Sequence, residues 1–530
     1  GYNTGGRINK ITTPSGTAST ATVNISYTDD GKLSSVLLPE NMSLSFEYLA
    51  KDVLGNTGAR VSLKTGTTVF AETSSVLNQS GAAVRKTSSD GTVYNITRDE
   101  NLNITQTSFE NTFYKVNENG SVTSEKRNVS YSYTYNANGD IQSVTDPEGN
   151  VTSYAYQDEN NPHSITSVSF PKGENETGTV TSTYDALTGN LLTETDPVGG
   201  VTSYGYGRTD ENGELKDKYL LTSVTDRYGT QTSYNYTSDL RISSQSLRNS
   251  ASELITERVV SYDASGNPEV LKDAKGSYVK YVYDEKNRVV SAIDLGSTLI
   301  AEGKPRAYVS YYSSGEVKRH TDANGNYVNY TYDALNRVVS EKVNEENKTT
   351  PIRTTTYAYS YENVTIGGEE IYAFKVVKTV SAQGSSFSST AYYDSAYRLI
   401  KEISLGTHSE ITYDEAGNIK SVKTKDGREI AYVYDELMRK TAVVINPESD
   451  RIVNSFTYDK QGNMLSQTDG EGYTKTYTYD LLNRLTSVTE GGNTTTYSYS
   501  AQAENDLITS VKTNPRGLRS VSVYDRAGRL

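Results

Sequence analysis

The chain has 530 residues, no cysteine and a formal net charge of −13. This charge argues against the wrapping of nucleic acid, and the absence of cysteine excludes disulfides, thiolate metal sites and cysteine nucleophiles. Only 34 % of the residues are hydrophobic, too few for deep cores in a compact protein of this length. Forty-four tyrosines argue against disorder, since each supplies a large ring with high β-propensity. The composition predicts a thin, well-hydrated β architecture.

No apolar run in the sequence reaches transmembrane length, and no signal peptide opens the chain. Membrane insertion is therefore not expected. Both ends of the sequence fall inside recognisable repeat units. We expect the sequence to be a segment of a longer protein, so the missing targeting signals carry little weight.

The dipeptide Y-D occurs ten times and is the strongest signal in the sequence. Two variable residues usually follow, then Gly or Asn, then Asn or Arg, as in Y-D-A-L-N-R-V from Tyr332. Adjacent copies lie 20 or 21 residues apart, and weaker copies begin at Tyr2, Tyr27 and Tyr135. The residues predicted to form this structural motif are Tyr184, Asp185, Tyr262, Asp263, Tyr283, Asp284, Tyr332, Asp333, Tyr393, Asp394, Tyr413, Asp414, Tyr434, Asp435, Tyr458, Asp459, Tyr479, Asp480, Tyr524 and Asp525.

A second mark lies midway through each unit, as in T-D-P-E-G-N from Thr145 and T-D-A-N-G-N from Thr321. Both marks are typical of turns, because Asp accepts a backbone N–H two residues on while Gly or Asn tolerates positive φ. The short runs between them alternate with period two, which indicates strands. Each unit is therefore predicted to hold two strands and two tight turns, and successive units to form an antiparallel meander.

One spacing does not fit an ideal strand. After the first turn, apolar residues lie three apart, as at Ile419 and Val422, which would place them on opposite faces. Either both faces are partly covered or a β-bulge resets the phase, and the sequence leaves both alternatives open.

The repeat length sets the scale of the array. At ~21 residues per unit the chain holds roughly 20 units and about 40 strands, or a ribbon about 200 Å wide at ~4.8 Å per strand. A sheet of that width is expected to curl, because strand twist accumulates. In chain order, repeats are degenerate over 1–130, regular over 131–340, irregular or interrupted over 341–389, and regular over 390–530, where the array stops within a repeat.

The Y-D-x-x-G/N-N/R-L pattern and its T-D-x-x-G-N partner resemble those of YD-repeat, or Rhs-repeat, proteins. This family includes bacterial polymorphic toxins, wall-associated proteins, the cocoon component of insecticidal toxin complexes, and the teneurins. The resemblance covers the chain well from about Tyr131, and is patchy before it and from Glu341 to Ser389. It implies an all-β fold, a hairpin array that spirals into a hollow, partial β-shell.

In several members of that family the shell encloses a C-terminal toxin or effector, which is the partner that the resemblance implies here. Such members also carry a C-terminal self-cleaving aspartyl region, and no counterpart of that region or of a toxin is seen in this sequence. The lack of cysteine favours a bacterial source over teneurins. An extracellular or cell-surface location is therefore expected.

Candidate sites other than the repeats have simpler interpretations. His163, His320 and His408 show no pattern for metal binding or nucleophilic catalysis, and are expected at surface or turn positions. Asp146 and Asp196, in D-P-E-G and D-P-V-G, resemble the family's self-cleavage motif but occupy ordinary turns of the repeat. Asp322 opens a segment like a calcium loop whose glycine comes too early, so a hairpin turn is favoured over weak calcium binding.

The sequence therefore predicts a non-enzymatic scaffold without a cofactor. The leading interpretation is a shell segment that encloses or presents a C-terminal effector. One alternative is a surface adhesin that binds glycans or partners, since exposed tyrosines can stack on sugars. Another is an extracellular fibre or stalk, in which the repeats extend and self-associate.

Overall fold

A computed structural model describes residues 1–14, 20–116, 122–173, 176–209, 212, 214–297, 303–445, 451–502 and 507–524. These residues form 42 β-strands and no helix, and so contain no helix that could cross a membrane. The strands are, in chain order, β1 (Lys10–Pro14), β2 (Thr20–Tyr27), β3 (Leu33–Leu37), β4 (Met42–Leu49), β5 (Thr57–Thr65), β6 (Thr68–Leu77), β7 (Ala83–Thr87), β8 (Val93–Arg98), β9 (Ile104–Val116), β10 (Val122–Tyr135), β11 (Ile141–Thr145), β12 (Val151–Ala155), β13 (Ser167–Pro171), β14 (Thr177–Tyr184), β15 (Leu191–Thr195), β16 (Val201–Thr209), β17 (Leu215–Thr225), β18 (Gln231–Tyr236), β19 (Ile242–Arg248), β20 (Leu254–Tyr262), β21 (Pro268–Lys272), β22 (Tyr278–Tyr283), β23 (Val289–Gly296), β24 (Lys304–Tyr311), β25 (Val317–Asp322), β26 (Tyr327–Tyr332), β27 (Val338–Asn344), β28 (Arg353–Ile366), β29 (Glu369–Ala382), β30 (Ser385–Tyr393), β31 (Leu399–Ser404), β32 (Thr407–Tyr413), β33 (Ile419–Thr424), β34 (Glu429–Tyr434), β35 (Lys440–Ile445), β36 (Arg451–Tyr458), β37 (Met464–Asp469), β38 (Thr474–Tyr479), β39 (Leu485–Glu490), β40 (Asn493–Gln502), β41 (Leu507–Thr513) and β42 (Arg519–Tyr524).

Every described strand pairs antiparallel with the next strand in the chain, so the sheet is one continuous ribbon. The ribbon has two edges, which we call edge A and edge B. Edge A holds the turns that follow even-numbered strands, and these include all the described Y-D turns. Edge B holds the turns that follow odd-numbered strands, including the T-D turns. The two sequence marks therefore define opposite edges of one ribbon.

Most turns of both classes have the same five-residue geometry, although the turn that begins at Asp185 has six residues. In the edge A turn that begins at Asp333, the carboxylate Oδ1 accepts the N–H groups of Leu335 and Arg337 at 2.9 Å. In the edge B turn that begins at Asp322, the corresponding distances are again 2.9 Å. The fourth residue has positive φ in both turns, 60° at Asn336 and 83° at Gly325. The local sequence therefore dictates the turns through side-chain capping and a left-handed residue.

A β-bulge accounts for the three-residue apolar spacing. Tyr413 lies opposite Ile419 and Ile411 lies opposite Val422, with one unpaired residue between the two pairs. Since Tyr413 and Ile411 are two apart on one strand, the bulge places Ile419 and Val422 on the same face. The same register shift occurs at nine of the ten Y-D tyrosines, at the end of β14, β20, β22, β26, β30, β32, β34, β36 and β38.

The tyrosine hydroxyl links successive bulges. Tyr434 donates a hydrogen bond at 2.9 Å to the carbonyl of Ile419, the bulge residue one repeat earlier. Six other Y-D tyrosines make the same kind of bond, at positions 184, 262, 283, 332, 413 and 458. A bulge interrupts the ladder locally, so a nearby hydroxyl can satisfy the carbonyl that it exposes. This geometry explains the preference for tyrosine over phenylalanine.

We expect Tyr434→Phe to lower the free energy of unfolding by about 0.5–1.5 kcal/mol, because it removes one hydroxyl hydrogen bond and keeps the ring. Burial raises the pKa of this tyrosine to about 12. Tyr432→Phe is the matched control, because within the described residues no hydrogen bond is found for its hydroxyl. Denaturant unfolding of both variants checks the prediction, and equal losses would contradict it.

The ribbon winds back upon itself with a constant displacement. The turn after β3 meets the turn after β26, the turn after β7 meets the turn after β30, and the turn after β11 meets the turn after β34. Each displacement is 23 strands, so the chain completes just under two windings. At ~4.8 Å per strand, one winding is about 110 Å around, or roughly 35 Å across if circular.

The wound ribbon is thin rather than solid. Its accessible surface is 30466 Å², whereas a compact protein of its mass is expected to expose about 19,000 Å². The two clusters of buried apolar residues lie on β28–β32 and β34–β35, close to the contact between the windings, and contain few residues. The predicted fold class, an all-β hairpin ribbon coiled into a shell, is therefore confirmed.

Candidate functional site: the seam between the windings

The two windings meet along a single line of contact, which we call the seam. On one side lies edge B of the first winding, from the turn after β3 to the turn after β13. On the other side lies edge A of the second winding, from the turn after β26 to the turn after β38. The seam thus joins turns that lie about 300 residues apart in the sequence.

A regular series of ion pairs crosses the seam. Arginine is the fifth residue of an edge A turn, and its partner is the carboxylate at the third position of an edge B turn. The Arg398–Asp90 pair is 3.1 Å long and the Arg439–Glu148 pair 2.5 Å. A further pair joins Arg337 to Glu40. Successive pairs lie four strands, or two repeats, apart on both edges.

Each seam arginine is held in place by its own repeat. The Nε of Arg439 donates at 2.7 Å to Asp435, which begins the same turn, and its Nη1 donates at 2.9 Å to the carbonyl of Asp459. The guanidinium also lies 5.2 Å from the ring centroid of Tyr458. Because these contacts fix the side chain before the windings meet, little rotamer entropy is lost when Glu148 binds.

Desolvation limits what this pair adds to stability. Burial raises the pKa of the Glu148 carboxyl, although Arg439 opposes the rise. When the pKa of a carboxyl rises on folding, ionisation of that carboxyl destabilises the folded state relative to the unfolded state. The charge of Glu148 is therefore not by itself a source of stability. The Arg439–Glu148 pair therefore serves alignment of the two edges more than it serves net stability.

A group of hydrogen bonds between the windings lies between the second and third ion pairs. Glu415 accepts hydrogen bonds from Thr112, at 3.0 Å from its N–H and 2.8 Å from its hydroxyl. The Asn111 side chain is 1 % exposed, and its Oδ1 accepts the N–H of Ala416 at 3.2 Å. In the other described Y-D turns the corresponding N–H is bound by the aspartate that begins the turn, so a residue of the first winding replaces part of that cap. This substitution is specific to one alignment of the windings.

Two long hairpins extend the seam with apolar contacts. The ring of Phe70 in β6 meets the ring of Tyr361 in β28 edge-on, at 4.9 Å between centroids. From the first winding, Tyr114 in β9 packs against a buried cluster that includes Val433 and Val444. Val444 is fully buried. These hairpins cover sheet surface that would otherwise be open to water, which is favourable.

Two seam turns carry a bulky residue at the fourth position, which is Gly or Asn in most of the other described turns. Tyr397 and Met438 have positive φ, 59° and 62°, at the fourth position of their turns. Such a backbone is unfavourable for a bulky residue. Both side chains cross the seam, Tyr397 to the ring of Phe70 at 5.3 Å and Met438 to the amide of Asn111 at 3.8 Å. Leu102 and Leu240 have the same conformation outside the seam, so the contacts with the other winding accompany this backbone at Tyr397 and Met438 without being required for it.

The predicted motif residues occupy one repeated position. Each of the ten Y-D tyrosines is the last residue of a strand, and each described aspartate begins an edge A turn. Asp525 lies outside the described residues. Six of these turns also belong to the seam, those that begin at Asp333, Asp394, Asp414, Asp435, Asp459 and Asp480.

The turn aspartates predict a loss of stability in acid. Hydrogen bonds from Asn267 lower the pKa of Asp263, and hydrogen bonds from Arg288 lower that of Asp284. A carboxylate with a lowered folded pKa stabilises the fold above its unfolded pKa of about 3.9, and this contribution is lost as the pH falls through the folded value. We expect the unfolding midpoint to be level above pH 5 and to fall progressively below about pH 4. A midpoint that rises in that range would contradict the assignment.

We expect Asp480→Ala to lower the free energy of unfolding by about 0.5–2 kcal/mol, by analogy with the loss of a helix cap. The carboxylate accepts the N–H groups of Leu482 and Arg484 at 3.0 Å, and also the Arg484 side chain. Asp480→Asn retains an acceptor and should recover much of the loss. Denaturant unfolding of both variants is the measurement, and an unchanged midpoint for the alanine variant would contradict a turn-forming role.

The other sequence candidates lie in separate places. His163 contacts Asp140 at 2.8 Å on edge A, while His320 and His408 lie on β25 and β32. Asp322 begins an ordinary edge B turn. Within the described ranges, no cluster of three or more His, Asp or Glu side chains could hold a metal ion.

Comparisons with known proteins identify a family and solved structures that are similar to this architecture. The RHS Repeat family model matches residues 135–174, 311–349 and 458–495, which confirms the predicted Rhs-repeat resemblance. No curated protein matches the sequence. A crystal structure of TcdB2-TccC3 without its hypervariable C-terminal region is 13 % identical, with a TM-score of 0.51 over 96 % of this chain and 28 % of that chain. The similarity shows that the fold is an Rhs-repeat shell.

Other solved structures are similar at lower scores. A TcdB2-TccC3-Cdc42 crystal structure is 11 % identical, with a TM-score of 0.40 over 95 % of this chain and 32 % of that chain. A Photorhabdus luminescens Tc holotoxin pore is 12 % identical, with a TM-score of 0.40 over 96 % and 32 %. The chain therefore spans about a third or less of the length of these structures.

Sequence reasoning did not find the seam residues. Arg337, Arg398 and Arg439 were visible only as the variable Asn-or-Arg position of the motif. Their four-strand spacing was a usable signal, because Arg is the fifth residue of every second edge A turn in this region. The partner carboxylates gave no comparable signal, since acidic residues are frequent in turns.

Proposed function

We propose that this chain is a non-enzymatic scaffold, a segment of an Rhs-repeat shell that encloses or presents a C-terminal effector. The proposed location is outside a bacterial cell, either as a secreted protein or on the cell surface. The observation that carries the proposal is the displacement of 23 strands that the three ion-paired turns of the seam share. It makes the ribbon a coil whose later winding closes on the edge of the earlier one.

The form of the wall supports enclosure. A coil roughly 35 Å across with a single-sheet wall leaves space along its axis, and the described apolar clusters lie beside the seam. The large accessible surface is that of a protein with two wetted faces. The family resemblance adds that related shells hold a C-terminal toxin.

Small-angle scattering tests the coil itself. A compact protein of 530 residues has a radius of gyration of about 24 Å. We expect a moderately larger value, with fewer short pair distances than a solid sphere gives. A profile with a radius near 24 Å would overturn the shell.

Protease protection tests enclosure. An unstructured reporter peptide with one protease site is fused directly after Leu530, and the same peptide is fused in a control through a long flexible linker. Cleavage of the direct fusion is expected to be at least tenfold slower than cleavage of the control. Equal rates would overturn enclosure without affecting the evidence for the coil.

The fibre alternative rests on a separate observation. Large parts of edge A in the first winding and of edge B in the second lie outside the seam, although they are built from the same turns.

The adhesin alternative depends on glycans or partners bound by the outer surface, and it stays a prediction that glycan-array binding would test.

A further inference from the structure

A buried lysine lies among the seam contacts after β13. Lys172 directly follows this strand on edge B of the first winding and is 5 % exposed. Its Nζ contacts the side-chain Oδ1 of Asn483 in the second winding and lies 3.7 Å from Oδ2 of Asp459. Lysine is rarely this buried, because the removal of an ammonium group from water is costly. A surface ion pair does not account for such burial.

The backbone holds the lysine against two edge A turns. The carbonyl of Pro171 accepts a hydrogen bond from Nε2 of Gln461 at 2.7 Å, which fixes the residue before Lys172 at the turn that begins at Asp459. Asn483 is the fourth residue of the next edge A turn and has a φ of 59°. The seam thus joins two side chains that are 311 residues apart in the sequence.

A second donor reaches the same asparagine oxygen. The Nδ2 of Asn463 donates to Oδ1 of Asn483 at 2.8 Å and to Oδ2 of Asp459 at 2.9 Å. The amide carbonyl of Asn483 is therefore polarised by one hydrogen-bond donor while an amine lies against it. The carboxylate of Asp459 lies at ion-pair distance from that amine.

The same polar arrangement occurs outside the seam without a lysine. Nδ2 of Asn267 donates to Oδ1 of Asn287 at 3.0 Å and to Oδ2 of Asp263 at 3.0 Å. Among the described residues, no hydrogen bond from a lysine to Asn287 is found. The asparagine pair is therefore an ordinary contact between neighbouring turns, and Lys172 is the group that the seam adds to it.

We propose that Lys172 and Asn483 form an intramolecular isopeptide bond, which joins the two windings covalently. Nζ gives a proton to Asp459 and attacks Cγ of Asn483, so that a new C–N bond forms. The bond from Cγ to the asparagine nitrogen then breaks. Of the three Nζ protons, one stays in the new amide, and two leave with the asparagine nitrogen as ammonium, which restores the Asp459 carboxylate. No oxidant and no outside reactant is needed.

Three properties of the site favour this reaction. The seam holds the amine and the carbonyl together, so their effective concentration is far above that of free groups in solution. Asn463 donates to the oxygen that becomes negative in the tetrahedral intermediate. The product amide is neutral, so the reaction removes the cost of a buried ammonium group. Asn483 is exposed, so the ammonium can leave to water.

Mass spectrometry of the intact, denatured chain tests the bond. We expect a mass below that of the sequence by one ammonia, and a proteolytic fragment in which the segments around Lys172 and Asn483 are joined. Lys172→Arg and Asn483→Gly should each restore the full mass, and glycine suits the positive φ at that position. Asn287 also has a φ of 59°, so Asn287→Gly is the matched control and should keep the loss of ammonia.

Two further variants test the chemistry of the site. Asn483→Asp should be lighter than its own sequence by one water, because a carboxyl then supplies the acyl group. Asp459→Asn should have its full mass because it lacks the proton acceptor. Its turn should still form, since Oδ1 of Asn136 caps another edge A turn in the same way. Circular dichroism of each variant confirms that the β structure is kept.

Denaturing gel electrophoresis gives a second readout. The bond closes a loop of 311 residues, so the parent chain should migrate faster than Lys172→Arg. A parent chain of full mass would overturn the proposal. A loss of ammonia that persists in Lys172→Arg would also overturn it, since a succinimide at an asparagine releases ammonia without joining two segments. Neither result bears on enclosure, which the protease test measures separately.

Discussion

Reversing the three carboxylates of the seam, Glu40→Arg, Asp90→Arg and Glu148→Arg together, is expected to separate the two windings. Each new arginine would face an existing one across a gap of ion-pair length, and like charges so placed cost several kcal/mol per contact. The hairpin ladder within each winding does not depend on these side chains. Scattering should therefore show a larger radius of gyration, while the far-ultraviolet circular dichroism stays that of a β protein.

Matched variants distinguish the effect of the seam contacts from the effect of the change in net charge. Glu100→Arg, Glu159→Arg and Glu285→Arg make the same change of charge at exposed edge A positions outside the seam. This control should keep the parent radius. If both triple variants expand equally, general electrostatics rather than the seam sets the shape. If neither expands, the apolar hairpin contacts suffice to hold the windings together.

Truncation of Ile400 is expected to have the largest effect of any single substitution discussed here. Ile400 is 2 % exposed in a cluster with Ile366, Ala373 and Tyr392, where the β28–β29 hairpin covers its neighbours. Ile400→Ala should cost about 2–5 kcal/mol, because it removes buried apolar surface and leaves a cavity. In a thin sheet few other contacts can compensate.

Ile419→Ala provides the matched control. Ile419 is 37 % exposed and begins the strand after the next Y-D turn, so its truncation should change stability by about 1 kcal/mol or less. Hydrogen exchange should locate the loss from Ile400→Ala in β28–β32, since contacts in repeat arrays are mostly between neighbours. Equal losses in the two variants would mean that the β28–β29 hairpin does not form a core.

Much of the ribbon is determined by residues that lie close together in the sequence. The strand ends at the Y-D tyrosines, the turns after them and the meander could be predicted, because each depends on residues within one repeat. The bulge remained an open alternative, since the spacing of Ile419 and Val422 has two explanations until the opposite strand is known. The stretch 341–389 reads as irregular, although it contains two strands of 14 residues, because it has no Y-D turn between them.

The tertiary structure alone decided how the ribbon closes. Arg288 and Arg439 end similar turns, Y-D-E-K-N-R and Y-D-E-L-M-R, and each donates to the aspartate that begins its turn. Within the described residues, however, only Arg439 of the two faces a carboxylate of the other winding. The displacement of 23 strands arises from small twists summed over many strand pairs, which no single repeat encodes. The sequence thus determined the hairpins and the chemistry of both edges, while the curvature of the whole sheet selected which turns meet.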